Sequence, residues 1–323
     1  MRCRVLLGLA AALLMSGLAS EAASQAASWP DKPVKLILPY APGGATDLIG
    51  RPWADKLSQV FGQQFVIENR GGAGGMIGTE TAAKAAPDGY TFLLTPNATL
   101  TILPSLRQAP YDAVKSFEPV GRVGDIVSGF VINPAVGVKT FKEMVEHAKK
   151  NPGKLAYGSA GLGTATQLRV EMLKFTAGID ILHVPYRGSA DALNDLLPNN
   201  VQMMNEINVL PHVKAGKLIL LNINYPTRHP DFPDVPTLTE LGYPGADVPI
   251  WFFICAPAAT PKDIIQKLNA KMVEIAKGDE MIGKLRAINV VAPPQTPEEI
   301  RAYLTEDIKR NAELIKAANI KLE

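Results

Sequence analysis

Twice in this chain of 323 residues a short apolar strand runs into a turn of glycine, small and hydroxyl residues, and a helical pattern starts straight afterwards. The first case is VKLILPYAPGGATDLIGRPWADKL, Val34 to Leu57, and the second is KLAYGSAGLGTATQLRVEMLKF, Lys154 to Phe175. Such a turn leaves the first N–H groups of the helix without intrahelical acceptors and aims them beyond the strand end. Neither turn contains lysine, arginine or histidine. An anion bound there must be held by backbone amides, hydroxyls and water, which suits a carboxylate that is to be released unchanged.

The same alternation continues along most of the chain. Strands are expected at Val34–Leu38, Phe65–Glu68, Thr91–Leu94, Gly129–Ile132, Leu155–Tyr157, Ile181–Val184, Val201–Met204, Leu218–Ile223 and Trp251–Cys255. Helices are expected at Thr46–Val60, Ile77–Ala86, Thr140–Lys150, Ala165–Thr176, Ser189–Leu197 and Val209–Ala215. In the first helix Ile49, Trp53, Leu57 and Val60 form the packing face, with Thr46 as cap and Gly62 as stop. Beyond Pro261 the pattern is helical: Lys262–Lys277, Glu280–Ile288 and a last helix from Thr296 to Ala318. This order predicts an α/β fold of two lobes, each a mainly parallel sheet flanked by helices. Residues 27–124 and 225–323 would build the first lobe and 125–224 the second. Hinge segments are expected near Glu118–Asp125 and Asn222–Thr227.

The N-terminus reads as an export signal over residues 1–26. Arg2 and Arg4 precede the uncharged apolar run Val5 to Leu18, and small residues suited to cleavage follow. The run is short for a bilayer span, so a membrane anchor is the runner-up. Without the signal Cys255 is the one remaining cysteine, in IWFFICAP, where it reads as a small buried hydrophobe. The chain carries a net charge of +2, reduced to +1 when Arg2, Arg4 and Glu21 leave, and it shows no basic stripe. Nucleic acid is therefore excluded as a partner class.

Other motifs give less. In RGGAGGMIG, Arg70 to Gly78, the dinucleotide spacing fails because Ile77 stands where a glycine is needed, so a flexible surface turn is expected. Gly161, Gly163 and Thr166 approach that spacing, but Asp180 precedes the next strand instead of ending it. No H-E-x-x-H, paired cysteines or G-x-S-x-G elbow is present, and neither metal nor cofactor is expected. His183 reads as a structural histidine, with no serine or acid arranged around it. A third small turn, Arg187-Gly188-Ser189, opens a helix carrying Asp191. Ser189 and Asp191 there, and Asp47 in the first helix, fit either helix-end stabilisation or a cleft wall.

Taken in order, PYAPGGATD (Pro39–Asp47), VIENRGGAGGMIGTETAAKAAPDGYTFLL (Val66–Leu94), YDAVKSFEPVGRV (Tyr111–Val123) and NPGKLAYGSAGLGTATQL (Asn151–Leu168) resemble one known family. So do HVPYRGSADALNDLL (His183–Leu197), PDVPTLTELGYPG (Pro233–Gly245) and CAPAATPKDII (Cys255–Ile265). It is the family of extracytoplasmic solute receptors of tripartite tricarboxylate transporters, the Bug proteins. The resemblance implies a monomeric periplasmic protein that closes around a small carboxylate and hands it to a membrane permease. It implies ligand contacts at Tyr40, Ala41, Gly43, Gly44, Ala45, Thr46 and Asp47 in one lobe. In the other they fall at Ser159, Ala160, Gly161, Gly163, Thr164, Ala165 and Thr166, with Gly188, Ser189 and Asp191 beside them. One departure stands out: Asn205-Glu206 occupy a turn where the family commonly has an aspartate, and Asn199-Asn200 replace its usual glycines. Two rival readings are an exported hydrolase or lyase of the same shape and the ligand-sensing partner of a signalling system.

Overall fold

The computed structural model describes residues 29–247 and 250–321. The expected export signal, with Cys3, lies outside the described residues. The chain begins β1 (Val34–Leu38), α1 (Ala45–Phe61), β2 (Phe65–Asn69), α2 (Met76–Ala83) and β3 (Thr91–Pro96). Two single-turn helices, α3 (Ala98–Thr101) and α4 (Leu103–Leu106), lead to β4 (Phe117–Ile126). A second series follows: β5 (Val131–Ile132), α5 (Phe141–Lys150), β6 (Ala156–Ser159), α6 (Ala165–Ala177), β7 (Leu182–Pro185) and α7 (Ser189–Leu196). It ends with β8 (Met203–Met204), α8 (Leu210–Lys214) and β9 (Ile219–Leu220). The chain then forms β10 (Trp251–Pro257), α9 (Lys262–Ala276), α10 (Asp279–Ala287), β11 (Val290–Val291) and α11 (Pro297–Ala317).

Two sheets result, one per lobe. The first has the order β11-β4-β10-β3-β1-β2 and the second β7-β6-β8-β5-β9. Strands β1, β2, β3 and β4 run one way, with β10 and β11 reversed between or beside them. In the second sheet only β5 opposes the others. Most strands of each sheet share one direction, but the reversed strands make both sheets mixed: three of the five neighbouring pairs in the first and two of the four in the second are antiparallel. Strand β10 runs through the middle of the first sheet and is buried along its whole length, Cys255 included. Among the described residues no helix is long and apolar enough to cross a membrane.

Helix α1 packs through Ala45, Ile49, Trp53 and Leu57, while Val60, expected on the same stripe, is exposed. The Trp53 indole N–H donates to the Val123 carbonyl of β4 at 2.8 Å. Truncating a fully buried tryptophan costs roughly 3–5 kcal/mol, so this contact fixes the axis of α1 and the aim of its N-terminus. Gly62 ends the helix with φ +68°, as a left-handed C-terminal glycine does.

The segment Glu118–Asp125, expected as a connector, lies inside the ten-residue β4, paired along β10. Its glycines belong to the packing: a side chain at Gly124 would stand 2.3 Å from Val290 Cγ1. The chain leaves the first sheet after β4 and re-enters it at β10. Where the two passages meet, Ser128 and Asn224 form an antiparallel bridge, with the Asn224 N–H donating to the Ser128 carbonyl at 2.6 Å.

Candidate functional site

The first glycine turn joins β1 to α1. Its N-cap position is Gly44, two residues before the expected cap Thr46, and glycine has no side chain to supply an acceptor. A carboxylate braces the turn from behind. Asp47 accepts the Gly43 N–H at 3.0 Å, two bonds from the Arg51 guanidinium at 2.9 Å each, and the Asn69 amide at 3.3 Å. Asn69 also donates to the Tyr40 carbonyl at 3.1 Å. Burial by itself would raise the Asp47 carboxyl. The bonds from Arg51, Gly43 and Asn69 outweigh it and hold the group below its usual value.

The second turn joins β6 to α6 and is braced by neutral groups. The Ala160 N–H donates to Thr166 Oγ1 at 3.1 Å, Gly161 N–H to Ser159 Oγ at 3.1 Å, and Gly163 N–H to Gln167 Oε1 at 2.7 Å. Thr164 caps α6 and donates its own hydroxyl to the Gly161 carbonyl at 2.7 Å. Contrary to the sequence reading of His183, a serine is arranged around it: Ser159 Oγ lies 2.7 Å from His183 Nε2. The ring stacks on Tyr157 at 4.7 Å. Burial lowers the His183 pKa to about 4, so the ring is neutral near pH 7.

The surrounding bonds assign the tautomer of that ring. Gly163 fixes Oε1 of Gln167, which turns the Gln167 amide nitrogen toward His183 Nδ1 at 3.4 Å. Nδ1 is then an acceptor and Nε2 carries the proton. Nε2 therefore donates to Ser159, and the Ser159 hydroxyl can donate to the Gly161 carbonyl at 3.2 Å. A general base would need the opposite polarity, with Nε2 accepting from serine.

The two turns face each other across the lobes, and α7 of the second lobe closes the gap. Its first residue, Ser189, accepts the Ala45 N–H of α1 through Oγ at 3.2 Å. The cap that Gly44 cannot supply thus comes from the other lobe. Gly188 packs against Ala41 at this seam. The glycine run expected as a flexible surface turn is also built into the seam. Tyr40 donates its hydroxyl to the Gly74 carbonyl at 2.9 Å, and a side chain on Gly74 (φ +68°) would stand 2.1 Å from the Leu162 carbonyl.

Between the turns lies a cavity of about 30 Å³, space for a water or two. A cavity of that size holds no larger solute. Tyr40, Gly44, Ala45 and Thr46 line it from the first lobe, and Ala160, Thr164 and Ser189 from the second. Other expected site residues stand back from it. Asp47, Ser159, Gly161, Gly163, Ala165 and Thr166 are buried in or behind the turns, and Gly188 lies at the seam. Gly43 and Asp191 are exposed and Ala41 is half-buried.

Four lining residues were not expected there as a group: Pro96, Glu206, Ile250 and Phe252. Pro96 ends β3, whereas Phe252 comes from the start of β10. An antiparallel strand brings its N-terminal end to the edge where its neighbours end. Glu206 follows β8, held between two anchors. Asn205 donates to the Thr166 carbonyl at 2.9 Å, and Asn208 to the Ser189 carbonyl at 3.0 Å. Nearby, Arg169 of α6 is wholly buried, and desolvation lowers its pKa to about 10 against the pull of Asp247 and Glu206. Among the described residues no cluster of histidine, cysteine and acids is arranged to hold a metal ion.

Known proteins are similar to this chain in sequence and fold. BugT of Bordetella pertussis is 34% identical over 303 residues, 92% of each chain. The periplasmic binding protein BugD is 33% identical with a TM-score of 0.87, over 91% of this chain and 100% of that one. R. palustris Rpa4515, solved with adipate, is 31% identical with a TM-score of 0.87, over 91% of this chain and 99% of that one. The sequence model of the tripartite tricarboxylate transporter family receptors matches residues 49–320. With that match over most of its length, the chain belongs to the tripartite tricarboxylate transporter receptor family.

Proposed function

We propose that this protein is a periplasmic receptor that closes its two lobes on a small carboxylate and delivers it to the membrane permease of a tripartite tricarboxylate-type transporter. One observation carries the reading: the N-terminus of α1 meets the second lobe at the Ala45 N–H, already held by a hydroxyl oxygen of Ser189 beside the shared cavity. A solute carboxylate oxygen is a stronger acceptor than that hydroxyl and takes its place when the lobes open and reclose. The first-turn N–H groups of α1 and α6 have no intrahelical acceptors and supply further donors. Charge-assisted hydrogen bonds contribute roughly 1.5–3 kcal/mol each and helix termini about 0.3–1 kcal/mol. A few of them reach the ~8 kcal/mol of micromolar binding after association costs. The adipate found with Rpa4515 supports a carboxylate as the solute class.

In this reading residues 27–124 and 225–323 form one moving body and 125–224 the other, turning about the paired passages at Ser128 and Asn224. The receptor acts as a monomer and docks its permease transiently. In this reading it performs no chemistry, and the His183 tautomer that donates to Ser159 is the wrong one for a serine-activating base. Thermal melting of the exported protein, unfolded and refolded to strip solute, tests the assignment against mono-, di- and aromatic carboxylates. A cognate solute at a hundred times its Kd stabilises by about 2.7 kcal/mol, which raises the midpoint by several degrees. If no carboxylate moves it, the reading fails. Mass spectrometry after long incubation must return the solute unaltered; turnover would favour the hydrolase reading.

A further inference from the structure

A second and larger cavity lies away from the two turns, at the β11 edge of the first sheet. It measures about 800 Å³, inside the range of roughly 300–1,000 Å³ typical of small-molecule sites. None of its lining residues belongs to the cavity between the turns. The end of α9, helix α10 and β11 form one wall, continued by Ala292-Pro293-Pro294. Another wall is the loop carrying Tyr225, His229 and Asp231, which the Asp231–Lys214 ion pair ties to α8.

The lining joins apolar surface to unmatched positive charge. Ile282 and Val291 are 45% and 43% exposed, two of the eight large apolar side chains that the described residues leave open to water. Leu285 and Val290, in the same lining, are buried. Apolar groups gathered on one concave surface mark a binding site in a way that scattered ones do not. Asp231 is matched by Lys214, whereas Lys277 and Arg286 have no ion-pair partner among the described residues. Arg286 acts on Asp231 only through its longer-range field. His229 adds no charge near pH 7: burial lowers its pKa, and its Nδ1 already accepts the Asp231 N–H at 3.0 Å.

This combination selects the occupant. A cation would meet Lys277 and Arg286, and a small dianion would leave the apolar wall wet. An added peptide strand finds little to pair with. Strand β11 offers two residues, and Pro293 and Pro294 just beyond it have no N–H. An acyl chain ending in a carboxylate satisfies both parts of the lining. We propose that this groove is a second binding site, for a free medium-chain carboxylate, with its chain along Ile282, Leu285 and Val291 and its head between Lys277 and Arg286. The site stands whatever the interlobe cleft binds.

Calorimetric titration of the exported protein with hexanoate, octanoate and decanoate tests it. Affinity is expected to rise about fourfold per added methylene, and decanoate to bind at least tenfold more tightly than decyltrimethylammonium. Ile282→Glu, an exposed change outside the core, should weaken decanoate binding at least tenfold. Lys277→Ala combined with Arg286→Ala should erase the preference for the anion. A decanoate carrying a photoreactive diazirine at its far end, followed by peptide mass spectrometry, locates the site: label is expected within residues 225–231 or 276–294. Label anywhere else, the turns of the cleft included, overturns the proposal, as does the absence of saturable decanoate binding. So do equal affinities for the two amphiphiles, or full decanoate affinity in Ile282→Glu.

Discussion

The turn after β1 is held by a charge, whereas the turn after β6 is held by hydroxyls, an amide and a neutral imidazole. Exposure accounts for the choice. The partner of Asp47 is Arg51, whose side chain is 56% exposed, so the pair keeps one foot in water. Around the second turn Ser159, Thr164, Thr166 and Gln167 are all nearly or fully buried. An ionised brace there would lose its hydration without recovering it, while neutral donors and acceptors lose much less. Both braces consume turn amides, at Gly43 on one side and at Ala160, Gly161 and Gly163 on the other. They shape the backbone that faces the cavity without filling it.

The largest test strikes the seam where the two turns depend on each other. Gly74→Ala puts a Cβ into the Leu162 carbonyl, against backbone that has no rotamer to yield. Closure is then blocked, and solute affinity should fall about 100-fold, or ~2.7 kcal/mol. The unliganded variant should lose only the roughly 1–2 kcal/mol that a left-handed φ costs an alanine. Unchanged affinity by calorimetry would mean that the turns hold solute without meeting, which breaks the comparison at its root.

A smaller effect separates the two braces. Asp47→Ala removes the acceptor of the Gly43, Arg51 and Asn69 bonds together and should cost about 2 kcal/mol in denaturant unfolding. Thr166→Val leaves one buried N–H, that of Ala160, without its acceptor and should cost about 1 kcal/mol. If the threonine variant proves the more damaging, the charged brace is not the stronger of the two.

How much of this was legible in sequence follows from the range of each interaction. Most of the alternation, both glycine turns and three of the four residues of the expected packing face, Ile49, Trp53 and Leu57, are local patterns and read correctly, while β4, β11 and the exposure of Val60 did not. The brace on Asp47 joins neighbours at Gly43 and Arg51, and its role at the helix end was one of two readings. The Ser159–His183 contact joins adjacent parallel strands β6 and β7, 24 residues apart, and no periodicity announces it. Gly121 and Gly124 read as a connector because composition cannot distinguish a linker glycine from one pressed against a helix or strand. Phe252 escaped because the search for a site followed strand C-termini, while β10 runs the other way. Ser189 as a cap for α1 could not be read at all, since that bond spans 144 residues and two lobes.

The smallest test uses pH to loosen one turn and leave the other intact. His183 titrates at about 4 in the folded protein and near 6.5 in the unfolded chain. The unfolded chain therefore takes up the proton first, so the contribution of His183 is whole above pH ~6.5 and shrinks steadily down to about 4. Asp47 has a folded value below that of a free carboxylate. Its contribution holds above pH ~3.9 and is lost only as the pH falls through that lower value. Between those limits the second turn alone should weaken, by about 1 kcal/mol once partial exposure of the ring is allowed for. Thermal midpoints of the natural protein should decline across that window, and those of His183→Gln should decline less. Identical slopes would show that the imidazole is not the titrating member of the neutral brace. A steeper decline in Asp47→Asn than in the natural protein would show that the two braces are coupled through the seam.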